Sequence, residues 1–141
     1  MVRVVYNSCY GGFSLSQEAC KRYWELRGKE VWIEQDKQFK SPDMFIVWLV
    51  PPEERVQGDW KTMTQNERIA YNRKHDEQTW NDRDVDRHDP ILVQVVEELG
   101  DKANGSYAKL AIGEVSGPYG IDEYDGFESV IEPDGYEWIT P

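Results

Sequence analysis

Two short stretches of this chain hold the residue types that could do chemistry. The first, Asn7-Ser8-Cys9-Tyr10-Gly11-Gly12-Phe13-Ser14, is a glycine loop between a β-branched run ending at Tyr6 and an amphipathic stretch that begins near Leu15. Main-chain N–H groups at the entrance of a helix have no partner within the helix and favour an anion. Tyr10 and Phe13, on either side of the glycines, suit a ligand that carries a ring. The second stretch is Arg87-His88-Asp89, directly ahead of another amphipathic segment. There His88 could act as a general base or donate to a phosphate, with Asp89 orienting it. The candidate ligand site is therefore Asn7, Tyr10, Gly11, Gly12, Phe13, Ser14, Arg87 and His88.

Each feature also has a plainer reading. The loop matches neither the dinucleotide fingerprint nor the P-loop, and two adjacent glycines can serve only to turn the chain with positive φ. Asp89 is placed to cap a helix, which competes with any role toward His88. Cys9 sits where a thiol pKa can fall, but no Cys-His-Asn signature accompanies it, and Cys20 reads as helix packing. Glu123, Asp125, Glu128 and Glu132 could pair as acid and base or collect a cation, yet their alternation disperses them. Arg68, Arg73, Lys74, Arg83 and Arg87 are interleaved with acids and read as a mixed-charge surface. With His75 and His88 the only histidines and no close cysteine set, no catalytic set, metal or cofactor is expected.

Several elements must position these residues. Val2 to Tyr6 reads as a buried strand, and Ser14 with Gln17 fits a capping box opening a helix from about Leu15 to Arg27, stopped by Gly28. Val31, Trp32 and Ile33 follow as a strand, which leaves a βαβ unit open. Met44 to Val50 is an apolar strand ended by Pro51-Pro52, and it must be covered, within the chain or by a second copy. Thr64 and Glu67 fit a second capping box, for a polar helix running to about Trp80. Asp89, Pro90 and Gly100 bracket a third helix whose apolar face is Leu92, Val95, Val96 and Leu99. Ala108, Leu110 and Ile112 alternate as a strand, Asp125-Gly126 signals a type I′ hairpin, and Asp134-Gly135 a last turn before Tyr136 to Ile139. The fold class expected is α+β: an N-terminal strand-loop-helix-strand unit plus a C-terminal antiparallel meander, packed with about three helices.

Composition narrows the partners. At 141 residues the chain is the length of one domain, and 27 acidic against 16 basic residues give a net charge of −11. A field of that sign repels nucleic acid polymers and anionic membranes. It still permits an anionic small molecule, which a local set of cations and amides can hold within a Debye length. An aromatic content of 13% sets the chain apart from disordered acidic sequences despite its mean hydropathy of −0.75. Two cysteines outside any C-x-x-C pair and an N-terminus without a signal-peptide pattern point to a reducing cytoplasm. The longest apolar run, Met44 to Val50, falls short of the roughly 20 residues a bilayer span needs.

The fragments Asn7 to Ser16, Arg87-His88-Asp89-Pro90 through Glu97-Glu98-Leu99-Gly100, Ala103-Asn104-Gly105, Glu123-Tyr124-Asp125-Gly126 and the closing Trp138-Ile139-Thr140 occur in fixed order. In these the chain resembles a widespread, largely uncharacterised family of small proteins encoded by tailed bacteriophages and prophages. The resemblance covers roughly 2–33 and 86–140 and sets 35–85 apart as an insertion. It implies a viral protein made in the host bacterial cytoplasm and transfers no reaction. The leading expectation is a phage accessory protein, for host takeover or counter-defence, that binds rather than reacts and sequesters a nucleotide-type immune signal. One alternative is an inhibitor whose acidic surface docks on a host protein. The other is a hydrolase or lyase acting on a nucleotide-like metabolite, with His88 or Cys9 served by an acid from the 123–128 hairpin.

Overall fold

A computed structural model of the chain describes residues 1–35 and 44–132. In chain order these hold β1 (Val2–Asn7), α1 (Gln17–Leu26), β2 (Trp32–Gln35), β3 (Phe45–Trp48), α2 (Gln65–Gln78), β4 (Thr79–Trp80), α3 (Pro90–Leu99), β5 (Leu110–Val115), β6 (Gly120–Tyr124) and β7 (Phe127–Ile131). The fold is α+β, with three α-helices on small antiparallel sheets among the described residues. The Asp134-Gly135 turn and the strand after it lie outside the described residues.

The helix boundaries follow from their caps. The Asp89 carboxylate accepts from Ile91 N at 2.9 Å, Pro90 occupies the first turn, and Gly100 ends α3 with φ +56°. Thr64 Oγ1 accepts from Glu67 N, opening α2 as the capping box requires. At α1 the cap is Ser16, whose Oγ accepts from Ala19 N, and not the expected Ser14. Ser14 is drawn away because its carbonyl accepts from Gly105 N while Leu15 bridges to Asn104. A tertiary contact thus takes the first residue able to cap and leaves the task to the next.

Among the described residues every strand pairing is antiparallel. β1 pairs with β5, Val2 opposite Val115 and Asn7 opposite Leu110, while β2 pairs with β3. The parallel pairing of a βαβ unit does not form, since β1 and β2 belong to separate sheets. Of the C-terminal strands, β6 and β7 make the hairpin and β5 goes to β1. Asp125 and Gly126 both take positive φ, +50° and +85°, as a type I′ turn demands. Strand β3 is covered within the chain, by β2 along its length and by β4 at Val47 and Trp48.

The main core gathers Val5 from β1, Leu15 from the loop ahead of α1, Ala19 and Tyr23 from α1, and Leu92 and Val95 from α3. Val47 and Val85 join the same cluster, so 44–85 shares the core of the flanking segments. Tyr23 stacks on Trp80 with centroids 5.2 Å apart, and its hydroxyl donates to Asp89 at 2.6 Å, joining α1, α3 and β4. A smaller cluster of Val4, Val115 and Tyr119 packs on the other face of β1, as the alternation of a strand dictates.

Candidate functional site

The glycine loop is held between two other loops. A side chain on Gly11 would meet the carbonyl oxygen of Tyr107 at 1.6 Å, and one on Gly126 would meet Gly12 N at 2.6 Å. Glycine is required at both places for close backbone approach, and Gly12 itself takes φ +88°. Asn7, fully buried, fastens the assembly: its Nδ2 donates to Cys9 O and Gly126 O, and its Oδ1 accepts from Lys109 N. Phe13 is buried in the core, whereas Tyr10 is exposed against Phe127.

Arg87 and His88 are also engaged inside the fold. Arg87 makes two hydrogen bonds to Glu128, at 2.6 and 2.9 Å, and its guanidinium lies 3.5 Å over the Phe13 ring centroid. Glu128 further accepts from Asn7 N. His88 Nδ1 shares a 2.7 Å hydrogen bond with the Tyr119 hydroxyl, while Asp89 turns to Tyr23 and Ile91. The Cys9 thiol donates to Tyr107 O at 3.1 Å; Glu123 accepts from Gly126 N, and Glu132 from Ser116. His88, Cys9, Glu123, Glu128 and Glu132 are thus each bonded to something other than the partner that acid–base work needs, and Asp125 is the exposed turn residue of the hairpin. Among the described residues no group of three or more His, Cys, Asp or Glu could hold a metal ion.

The loop's other side is open. Gly11, Phe13 and Ser14 form one wall of a cleft of about 1010 Å³, whose opposite wall is β3, the end of α2, β4 and the turn after it. Phe45 and Trp80 give it apolar surface; Asp76, Asp82 and Asp84 stand against Arg83 and His75. Asp82 Oδ2 accepts from Leu15 N at 2.8 Å, which ties the turn to the entrance of α1. Burial pushes the Asp82 carboxyl above its ordinary range, and the Leu15 hydrogen bond and the Arg83 charge offset only part of that. Of the eight residues expected to form a site, Gly11, Phe13 and Ser14 line this cleft, whereas Asn7 and Arg87 fasten the loop and the hairpin and His88 is bonded to Tyr119, just ahead of β6.

Sequence reasoning missed Thr79 to Asp84 as a wall of the cleft. The local signal was a Trp followed by Asn81-Asp82-Arg83, in which Asn81 Oδ1 accepts from Arg83 N and forms a turn. Nothing in the sequence says that this turn meets Leu15, 67 residues away.

Fold and cleft together define an α+β domain with an acidic, partly aromatic cleft beside a glycine loop. No protein family matches the chain, and neither does any curated protein or solved structure. No helix among the described residues is long and apolar enough to cross a membrane.

Proposed function

We propose that this chain is a binding protein whose cleft receives a positively charged segment of a partner protein. The observation that carries the reading is the lining: three aspartates against one arginine and one histidine, on walls that include Phe13, Phe45 and Trp80. Such walls suit the aliphatic stem and charged head of Arg or Lys, and Trp80 offers a face for a cation. A net charge of −11 steers a basic partner toward the molecule. The nucleotide-type anion that the glycine loop suggests keeps Gly11, Ser14 and Arg83 as contacts but meets the aspartates, and repulsion makes it the weaker reading. In the setting the phage resemblance implies, the partner is a basic host protein of the bacterial cytoplasm, such as a nucleic-acid-binding enzyme.

Support for binding over turnover comes from the partners of His88, Cys9 and Glu128, each of which is committed elsewhere. Calorimetry and Trp fluorescence with arginine- and lysine-containing peptides test the proposal, with cyclic dinucleotides and ADP-ribose derivatives alongside. Basic peptides are expected to bind, more weakly as salt rises, and to perturb the emission of Trp80. Binding of the anions with no response to basic peptides would reverse the reading.

A further inference from the structure

Three tyrosines stand far out of the surface, and the chain path brings them together. Tyr10, Tyr107 and Tyr124 are 68%, 69% and 74% exposed. Tyr124 lies directly opposite Phe127 across the hairpin, so the two side chains share one face of it. The Phe127 ring lies 5.2 Å from that of Tyr10. Gly11, the next residue, abuts Tyr107, which also lines the cleft. These positions follow one another from the hairpin tip past the glycine loop to the rim of the cleft, a strip of neighbouring aromatic residues in which Tyr10 and Phe127 are the pair in ring contact.

Hairpin stability accounts for part of this. A Tyr–Phe cross-strand pair supports a type I′ turn, and Tyr10 on Phe127 docks the hairpin on the loop. Those contacts do not call for rings left two-thirds in water, nor for Tyr107. Three tyrosines so exposed present on the order of 400 Å² of amphipathic surface, the size of a functional patch on a small domain. Tyr adds contact area at small cost in conformational entropy, which is why binding surfaces are rich in it. The charged neighbours on the tip are Asp122, Glu123 and Asp125, all exposed, with Lys109 the cation beside Asn7.

We propose that the strip of Tyr124, Phe127, Tyr10 and Tyr107, edged by Asp122, Glu123 and Asp125, is a docking surface for an arginine-rich face of a partner protein. Guanidinium groups stack on tyrosine faces while the carboxylates supply the opposite charge. The inference rests on the cleft reading for the sign of the partner's charge, and it extends the footprint beyond the cleft. A second copy of this chain would bring like charges together and is the poorer occupant.

The probe is a twelve-residue peptide of alternating arginine and glycine, with a glutamate–glycine peptide as control, titrated into the full chain and followed by amide NMR. The arginine peptide is expected to shift Tyr10, Tyr124 and Phe127, and the control to leave them still. Tyr10→Ser combined with Tyr124→Ser should weaken binding about tenfold. Asp122→Asn with Asp125→Asn should weaken it by a smaller factor while retaining the turn, because Asn tolerates positive φ. Shifts confined to Trp80 and Asp82, or unchanged affinity in both double variants, would overturn the docking surface and leave the cleft reading intact. Shifts on the strip with none in the cleft would uphold the surface and reject the cleft. A dimer that the tyrosine variant dissociates would also overturn the proposal, in favour of self-association.

Discussion

Arg87 and Glu128 are joined by two hydrogen bonds, at 2.6 and 2.9 Å, with the Arg87 guanidinium 3.5 Å over the Phe13 ring centroid. Both side chains are largely shielded from water, and Glu128 also accepts from Asn7 N. Breaking a buried pair from one side leaves a charge without a partner, which costs about 3–5 kcal/mol. Glu128→Leu should therefore lower the denaturation midpoint sharply, whereas Arg87→Met with Glu128→Leu should recover part of the loss. Chemical denaturation of the two variants measures the difference.

From a fully buried position Asn7 donates to the carbonyls of Cys9 and Gly126 and accepts from Lys109 N, joining the glycine loop, the hairpin tip and the start of β5. Asn7→Ala strands two carbonyls and one N–H, each at about 1–3 kcal/mol where water cannot reach. The expected loss is about 3 kcal/mol or more, read by urea denaturation. Asn7→Asp should be no milder, because a carboxylate cannot donate to Cys9 O and Gly126 O.

Signals confined to a few residues were legible in the sequence, and those that need a distant partner were not. Asp89-Pro90 with Gly100 fixes α3, and Asp125-Gly126 fixes the hairpin, because cap and turn chemistry act within four residues. Ser14 and Ser16 are equivalent as caps until Gly105 takes the carbonyl of Ser14. The glycine loop was recognisable, but not that its backbone meets Tyr107 and Gly126, which makes Asn7 and Arg87 internal fasteners. Asp82 resembles any acid of a mixed-charge surface until the fold sets it against Leu15 N.

Tyr23 gives stability a dependence on alkaline pH. Burial, with the Asp89 carboxylate it donates to, pushes its pKa from 10.0 up to about 12. The folded state holds the phenol proton longer than the unfolded state does, so this stability is fully present below pH 10 and is lost as pH rises through about 12. Tyr23→Phe should be less stable at neutral pH, having lost the bond to Asp89, and should fall less steeply between pH 10 and 12. Thermal unfolding across that range compares the slopes.

Asp82 separates binding from folding. Its raised pKa means that the ionised carboxylate is a burden on the folded state at neutral pH; that stability is present below 3.8 and lost as pH rises through the folded value. Asp82→Asn keeps an oxygen to accept from Leu15 N and removes the charge, so the variant should be at least as stable as the parent. The same change takes one of three carboxylates from the cleft and should weaken a basic peptide several-fold, with a shallower salt dependence. Asp76→Asn and Asp84→Asn, at exposed positions, should add to that weakening with little effect on stability. If Asp82→Asn unfolded the chain, its carboxylate would be structural; if it bound the peptide as tightly as the parent, the cation would lie outside the cleft. A stable fold with reduced affinity is the outcome the proposed binding of a cation requires, because in that reading the charge that opposes folding is the charge that attracts the ligand.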